Sequence, residues 1–526
     1  MDWLPTLSPW LFVLTLVFNC RAAWKLGIDW KGMVTTVRHV RAAAARRAAW
    51  PTEEALEREG QAPVFLHLLA AYQEPEIART LRGLLDARYP HGKVRYVVVT
   101  KAAEDETPHP AMGESTGAII RRFLAELAPY EAKRLTHLVM PGPGRKAEQL
   151  NWALRSEALA AVLEDHVADP SRVFVAVSDA DSVPDPDTYR WIAGEERAGR
   201  GALAYQGVTL SLANWAALDT RGRICAIQQS SIFLRVSIAR LINEVKRVRA
   251  IEAALARLPG RVARRLRPAL EFCLRCSQIC LGHNQFVRLD VLHALGGFPT
   301  RGATEDSTLG YLLGARGVAI RALPLVEIVD LPETKAKIVR QNARWYKGVL
   351  DDIPVLWRLW RQAPTAYNLA QLCRHVGNKV VEWPVAAGVY PLMGYLGWHF
   401  AYAYRTAHPV VFFGAVLVPT LSLGLSVWVG AIETQRAVRA LQPYSPRPVT
   451  IEWRTLGDQL LAIFRCQTYW LLATRAAWLV LWQLALHGHY EPIKTDRVVR
   501  AAAGPGLTAR VAARLGLTLH TPCRKV

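Results

Sequence analysis

Residues 173–184 read VFVAVSDADSVP, a β-type run that ends in two carboxylates, Asp179 and Asp181, and then a turn at Ser182, Val183 and Pro184. An apolar run of this length without alternation reads as a strand covered on both faces. Similar runs stand at Val64–Ala70 (VFLHLLA), Val94–Thr100 (VRYVVVT), Leu138–Pro141 and Ala202–Val208. Helical stretches from Glu76 to Ala87 and from Lys146 to Leu163 lie between them. Strands alternating with helices predict an α/β domain with a largely parallel sheet. Ligands of such sheets bind beyond the carboxyl ends of the strands, where Asp179 and Asp181 stand. The PGPG at 141–144 reads as a loop, and there is no internal repeat or low-complexity tract.

The rest of the chain reads differently. At 526 residues it exceeds one ordinary domain of about 100–200 residues. Hydrophobic residues make up 51% and charged residues 21%, which excludes a disordered chain, and the slightly positive mean hydropathy of +0.09 points to a membrane portion. Leu4 to Phe18 is uncharged, and with its flanks it reads as an N-terminal spanning helix at 1–20. A cleaved signal peptide fits poorly, because the start carries Asp2 and no cation. The linker 21–59 holds Arg21, Lys25, Lys31, Arg38, Arg41, Arg46 and Arg47 against Asp29 before residue 51. The positive-inside rule then places the domain at 60–350 in the cytoplasm.

Asp351–Ala363 (DDIPVLWRLWRQA) mixes Trp, Leu and Arg as an interface helix would, giving a unit at 351–375. Two spans follow within 376–432. Val380–Ala401 is broken by Pro384, Gly388, Pro391, Gly394 and Gly397, and Pro409–Ile432 is charge-free, about 36 Å as a helix. The segment 433–490 forms cytoplasmic or interface helices, or a fourth span at Thr468–Leu486, which contains Arg475. The tail 491–526 is basic and expected in the cytoplasm.

The net charge of +21 demands an anionic partner. Arg235–Arg267 is a basic helical stretch that reads either as a solvated face or as a helix on anionic membrane lipids. Because the cations cluster beside the spans, nucleic acid is not expected as a partner. A transporter is not expected either, since only Glu382 and Arg475 are ionisable within candidate spans. The eight cysteines are scattered, against an extracellular disulfide framework. The one cluster, Cys273, Cys276 and Cys280, lacks a further ligand pair at zinc spacing and reads as buried thiols on one helical face.

Three short motifs carry the chemistry. Asp179 and Asp181, two apart after a strand, read as a polar turn or as ligands for a hard divalent cation beside a diphosphate. Thr304-Glu305-Asp306 reads as a helix cap opening at Ser307, or as a carboxylate placed to take a proton from an attacking hydroxyl. Gln341, Arg344 and Trp345 share one helical face, where Arg suits phosphate, Trp a sugar ring and Gln hydroxyls; a plain amphipathic helix is the other reading.

Their joint order resembles the membrane-embedded family 2 glycosyltransferases, which include cellulose, hyaluronan and chitin synthases. The resemblance covers about residues 60–435, and Tyr490–Arg497 (YEPIKTDR) is similar to a closing element of several bacterial members. Further matching pieces are Ala71-Tyr72-Gln73-Glu74-Pro75, the segment around Lys146, Leu150 and Asn151, and Gly282-His283-Asn284 with Gly296-Gly297-Phe298. The resemblance implies a GT-A-like domain with α-helical transmembrane and interface helices, in the inner (plasma) membrane of a bacterial cell. It implies donor binding by Tyr72, Glu74, Lys146, Asp179, Asp181 and Arg344, with Mg²⁺ or Mn²⁺ on Asp181 and Asp179. Asp306 would be the base with Glu305 beside it, and Gln341, Trp345, His283 and Asn284 would meet the acceptor.

The family commonly ends its second strand with Asp residues that read uracil, whereas here the strand ends Val99-Thr100-Lys101. Glu104 and Asp105 follow and resemble the acidic variant of some bacterial members, so they stand as donor-binding residues for a nucleotide-diphosphate sugar, a UDP-sugar by family habit. The expected reaction is inverting transfer that forms β-linkages on a growing polysaccharide, processive and coupled to export. Single transfer to a lipid-linked acceptor is the alternative. An oligomer or a secretion partner is compatible with either.

Overall fold

The computed structural model describes residues 4–58, 62–108, 112–156, 169–385 and 417–490. Seven strands form one sheet: β1 Val64–Ala70, β2 Val94–Lys101, β3 Leu135–Met140, β4 Val173–Ser178, β5 Ala204–Leu210, β6 Gln285–Arg288 and β7 Ile320–Ile328. The order is β3-β2-β1-β4-β6-β5-β7. Only β6 runs against the others, pairing antiparallel with both β4 and β5. The largely parallel sheet predicted from sequence is therefore present, with one reversed strand that the sequence reading omitted.

Both faces are covered, which is why the strands read as unbroken apolar runs. Successive side chains alternate between faces. Val64, Leu66 and Leu68 enter one core, and Phe65 and Leu69 enter the other. The second core is aromatic, with Phe65, Tyr89, Phe174, Tyr189 and Phe286 in edge, tilted and stacked contacts. Full burial of such a ring stabilises the fold by roughly 1.5–3 kcal/mol. The first core is closed by the N-terminal helix Leu4–Ala44 and the helices Thr220–Ile232, Lys335–Gln362 and Thr468–His487.

The structure corrects several boundaries. The basic stretch 235–267 starts in a π-helical turn, Phe233–Ile238, and continues in two helices, Ala239–Leu255 and Gly260–Leu274, parted just before Gly260 at Pro259, which supplies no backbone donor. The 351–363 segment is no separate element but the second half of the continuous helix Lys335–Gln362, with Asp352 and Leu356 buried. The three thiols do not share a helical face: Cys273 is exposed in the last turn of its helix, and Cys276 and Cys280 are buried in the irregular segment that follows. Among the described residues no helix is long and apolar enough to cross a membrane. Leu4–Phe18 lies in the long N-terminal helix, whereas most of 380–401, the start of 409–432 and the segment 491–526 lie outside the described residues.

Candidate active site

The carboxyl edge of the sheet collects the motifs around a cavity of about 1280 Å³. Asp179 and Asp181 leave the end of β4 in a turn closed by the Ser182 N–H donating to the Asp179 carbonyl at 3.0 Å. The turn is pinned from both sides. Thr80 Oγ1 donates to the Ala180 carbonyl at 2.8 Å, and the Asp330 N–H donates to Asp181 Oδ2 at 3.0 Å. Arg79 donates to the Asp181 carbonyl at 3.3 Å and pairs with Asp330 at 2.9 Å, and so ties the turn to the segment just past β7.

Opposite, the helix Glu305–Ala315 begins two residues earlier than predicted, which places Glu305 and Asp306 in its first turn. Asp352 fixes that turn from the long helix, accepting from Ser307 Oγ and Thr308 Oγ1 at 2.6 Å each. Lys146 joins the two acidic groups: its ammonium donates to Asp179 and to the Gly282 carbonyl, and lies 3.7 Å from Glu305. Burial would push the Lys146 pKa down, but the Asp179 and Glu305 carboxylates more than offset it and hold it above the ordinary value. Asp306 is pushed up to about 7, first by burial and then by Glu305, with Lys146 opposing. A buried carboxyl poised near neutrality is the state suited to a general base.

Gln341, Arg344 and Trp345 all line the cavity from the helix Lys335–Gln362. Tyr72, Glu74 and His283 line it too. Asn151, from the segment singled out with Lys146, holds the glycine turn before the helix Glu305–Ala315: it donates to the Phe298 carbonyl at 2.7 Å and accepts from the Phe298 N–H at 2.8 Å.

Three predicted site residues do not reach the cavity. Glu104 is buried, and one of its oxygens accepts from the Gln73 N–H, the Thr116 N–H and the Thr116 hydroxyl. It therefore stabilises Gln73, whose φ of 54° is a left-handed conformation costly for a residue with a side chain. Asp105 turns outward to Arg121 and Ser115. Asn284 faces into the sheet, donating to the Val208 and Leu325 carbonyls. At the cavity instead stands Lys101, whose ammonium lies 4.4 Å over the Tyr72 ring.

The sequence reading also missed Glu327. From the fully buried interior of β7 it accepts from Ser178 Oγ and from His283 Nδ1, at 3.0 Å each. Burial would lower the His283 pKa, and the Glu327 carboxylate raises it above the ordinary value. No spacing signal marks Glu327, since its partners lie far away in the chain.

Asp179 Oδ1 pairs with Lys146 and Asp181 Oδ2 accepts from the Asp330 N–H, and two such carboxylates are of the kind that, with substrate phosphates, can hold a divalent cation. Among the described residues no group of three or more His, Cys, Asp or Glu side chains forms an all-protein metal cage.

A mostly parallel sheet with an acidic turn at its carboxyl edge, a near-neutral carboxyl and an Arg/Trp helix meet around one cavity. Residues 62–348 match the family described as glycosyltransferase like family 2, and residues 268–432 match glycosyl transferase family group 2. The chain belongs to the family 2 glycosyltransferases. It is 15% identical to the mannosyltransferase PcManGT from Pyrobaculum calidifontis, solved with GDP-Man and Mn²⁺, over 86% of this chain and 99% of that one, with a TM-score of 0.39. It is 10% identical to residues 1–349 of S. aureus TarS over 81% of this chain and 92% of that one, with a TM-score of 0.31. The same TarS fragment with UDP-GlcNAc aligns over 72% of this chain and 91% of that one, at 10% identity and a TM-score of 0.32. A search of curated proteins finds no match.

Proposed function

We propose that the chain is an inverting, membrane-embedded polysaccharide synthase that uses a nucleotide-diphosphate sugar and extends a growing chain by β-linkages. The observation that carries this reading is the continuity of one cavity, from Asp179, Asp181 and Asp306 past Trp345 to Trp383, Tyr469 and Trp470 on the helical layer. Its volume of about 1280 Å³ exceeds the roughly 300–1,000 Å³ of a single small-molecule site, which leaves room for donor and acceptor together. Membrane embedding is supported by large apolar side chains exposed on the outer helices: Val17 at 59%, Leu421 at 61%, Phe464 at 81% and Trp482 at 66%. The basic linker beside them fits a catalytic domain in the cytoplasm of a bacterial cell.

Asp306 removes the proton from the acceptor hydroxyl, whose oxygen attacks the anomeric carbon as the bond to the diphosphate breaks. Attack from the opposite side converts an α-linked donor into a β-linkage. Arg344 binds the departing diphosphate, and Lys146 holds Asp179 and Glu305 in place around it. Mg²⁺ or Mn²⁺ held by Asp179 and Asp181 would supply neutralisation of the leaving group. Trp345 offers a face to the terminal sugar of the chain.

Two measurements test this. Asp181→Asn is expected to lose metal-dependent nucleoside-diphosphate affinity, whereas Asp306→Asn keeps it and loses transfer; equal loss of binding in both would remove Asp306 as the base. Product size with excess donor decides the rest. A ladder or high polymer is expected, and one sugar per acceptor at every time point would replace the synthase reading with single transfer to a lipid-linked acceptor.

A further inference from the structure

Beyond Asp306 the cavity wall turns basic. Lys379 lies within electrostatic reach of Asp306 and of Arg240, and Arg240 in turn lies within reach of Lys25, which neighbours Arg235. All four line the one cavity. The two outer cations are matched, Lys25 by Glu382 and Arg235 by Asp29 at 3.1 Å. The inner two are not: among the described residues, neither the Arg240 nor the Lys379 side chain forms a hydrogen bond or ion pair. Lys379 feels the charges of Asp352 and Asp306 but bonds to neither, since both Asp352 oxygens are held by Ser307 and Thr308. Lys379 instead lies 5.4 Å over the Tyr311 ring. Half-buried cations that line a cavity without an ion pair are placed to meet an arriving anion.

We infer that the acceptor is an acidic sugar chain, whose carboxylates are met by Arg240 and Lys379 within the cavity next to the Asp306 base. The inference rests on the transfer reading above and adds the charge of the chain being extended. Two unpaired cations side by side next to the base suit a chain that carries carboxylates close to its growing end. The donor diphosphate already has Arg344 and the Asp179/Asp181 turn at the sheet edge.

The test uses the full chain in nanodiscs of zwitterionic lipid, with nucleoside diphosphate and Mn²⁺ present, and reads binding by calorimetry without turnover. The probes are β-linked hexuronate tetrasaccharides and their carboxyl-reduced neutral counterparts. The acidic form is expected to bind about tenfold or more tighter, the worth of one charge-assisted hydrogen bond. Arg240→Gln and Lys379→Gln, checked for unchanged melting, each remove most of that preference and leave nucleotide affinity in place. Equal affinity for both probes, or binding of neither, overturns the inference, as do variants that weaken the nucleotide instead. A parallel arm measures binding to vesicles containing anionic phospholipid; variants that change only this affinity would assign the cations to the lipid surface and overturn it too. The assay involves no turnover, so failure of the base reading shows up in transfer by Asp306→Asn and not in this comparison of the two probes.

Discussion

The protonation of Asp306 sets the sharpest test of the site, and Glu305→Gln is the perturbation. Asp306 rises from 3.8 to about 7, so its anion is disfavoured by about 4 kcal/mol relative to water. Burial is the largest cause and the Glu305 carboxylate the second. Neighbouring carboxyls in one helical turn, about 6–8 Å apart at an effective dielectric of about 20, repel by ~2 kcal/mol. Removing that charge should lower the Asp306 pKa by roughly one to one and a half pH units. A base works deprotonated, so activity is present above its pKa and lost as pH falls through about 7 in the parent enzyme. In Glu305→Gln the acid limb of kcat/KM for nucleoside-diphosphate release moves to lower pH. Lys146→Met removes the cation that opposes the rise, so its limb moves up. Limbs that stay together, or both move the same way, would refute Asp306 as the titrating base.

Other outcomes follow from contacts around that turn. Gly282 has a φ of 76°, and a Cβ there would stand 2.7 Å from Asp306 Oδ2. Gly282→Ala therefore adds about 1–2 kcal/mol of backbone strain and displaces the base; kcat is expected to fall about a hundredfold with donor binding kept, measured by single-turnover kinetics and nucleotide titration. Asp105→Ala removes a partly exposed pair with Arg121 and the hydrogen bond from the Ser115 hydroxyl, so stability should fall by about 1–2 kcal/mol while donor KM holds. A change of preferred nucleotide in that variant would return Asp105 to the donor site.

Much of the sheet was legible because burial on both faces leaves a plain signature. β1 and β4 are the predicted segments without change, and Asp179 and Asp181 follow from them. β6 escaped notice because four residues give no periodicity. β7 escaped because Pro324 interrupts IRALPLVEI, and proline in a strand interior argues against a strand. The structure accommodates it with a register shift: Gly207 pairs with Leu323 and the next residue, Val208, with Val326, so Pro324 owes no ladder hydrogen bond.

Local sequence determined the strands, the acidic turn and the shared face of Gln341, Arg344 and Trp345, since each depends on neighbours a few residues away. The tertiary structure decided what meets what. Lys146 reaching Asp179 and Glu305, Glu327 holding Ser178 and His283, and Asp352 seating the catalytic turn all join residues tens to more than a hundred positions apart. Glu104 shows the reverse: its spacing resembled a donor ligand, yet its carboxylate stabilises the strained Gln73 turn. A carboxylate reads the same in sequence whether its oxygens face a cavity or a backbone N–H, and only packing chooses between them.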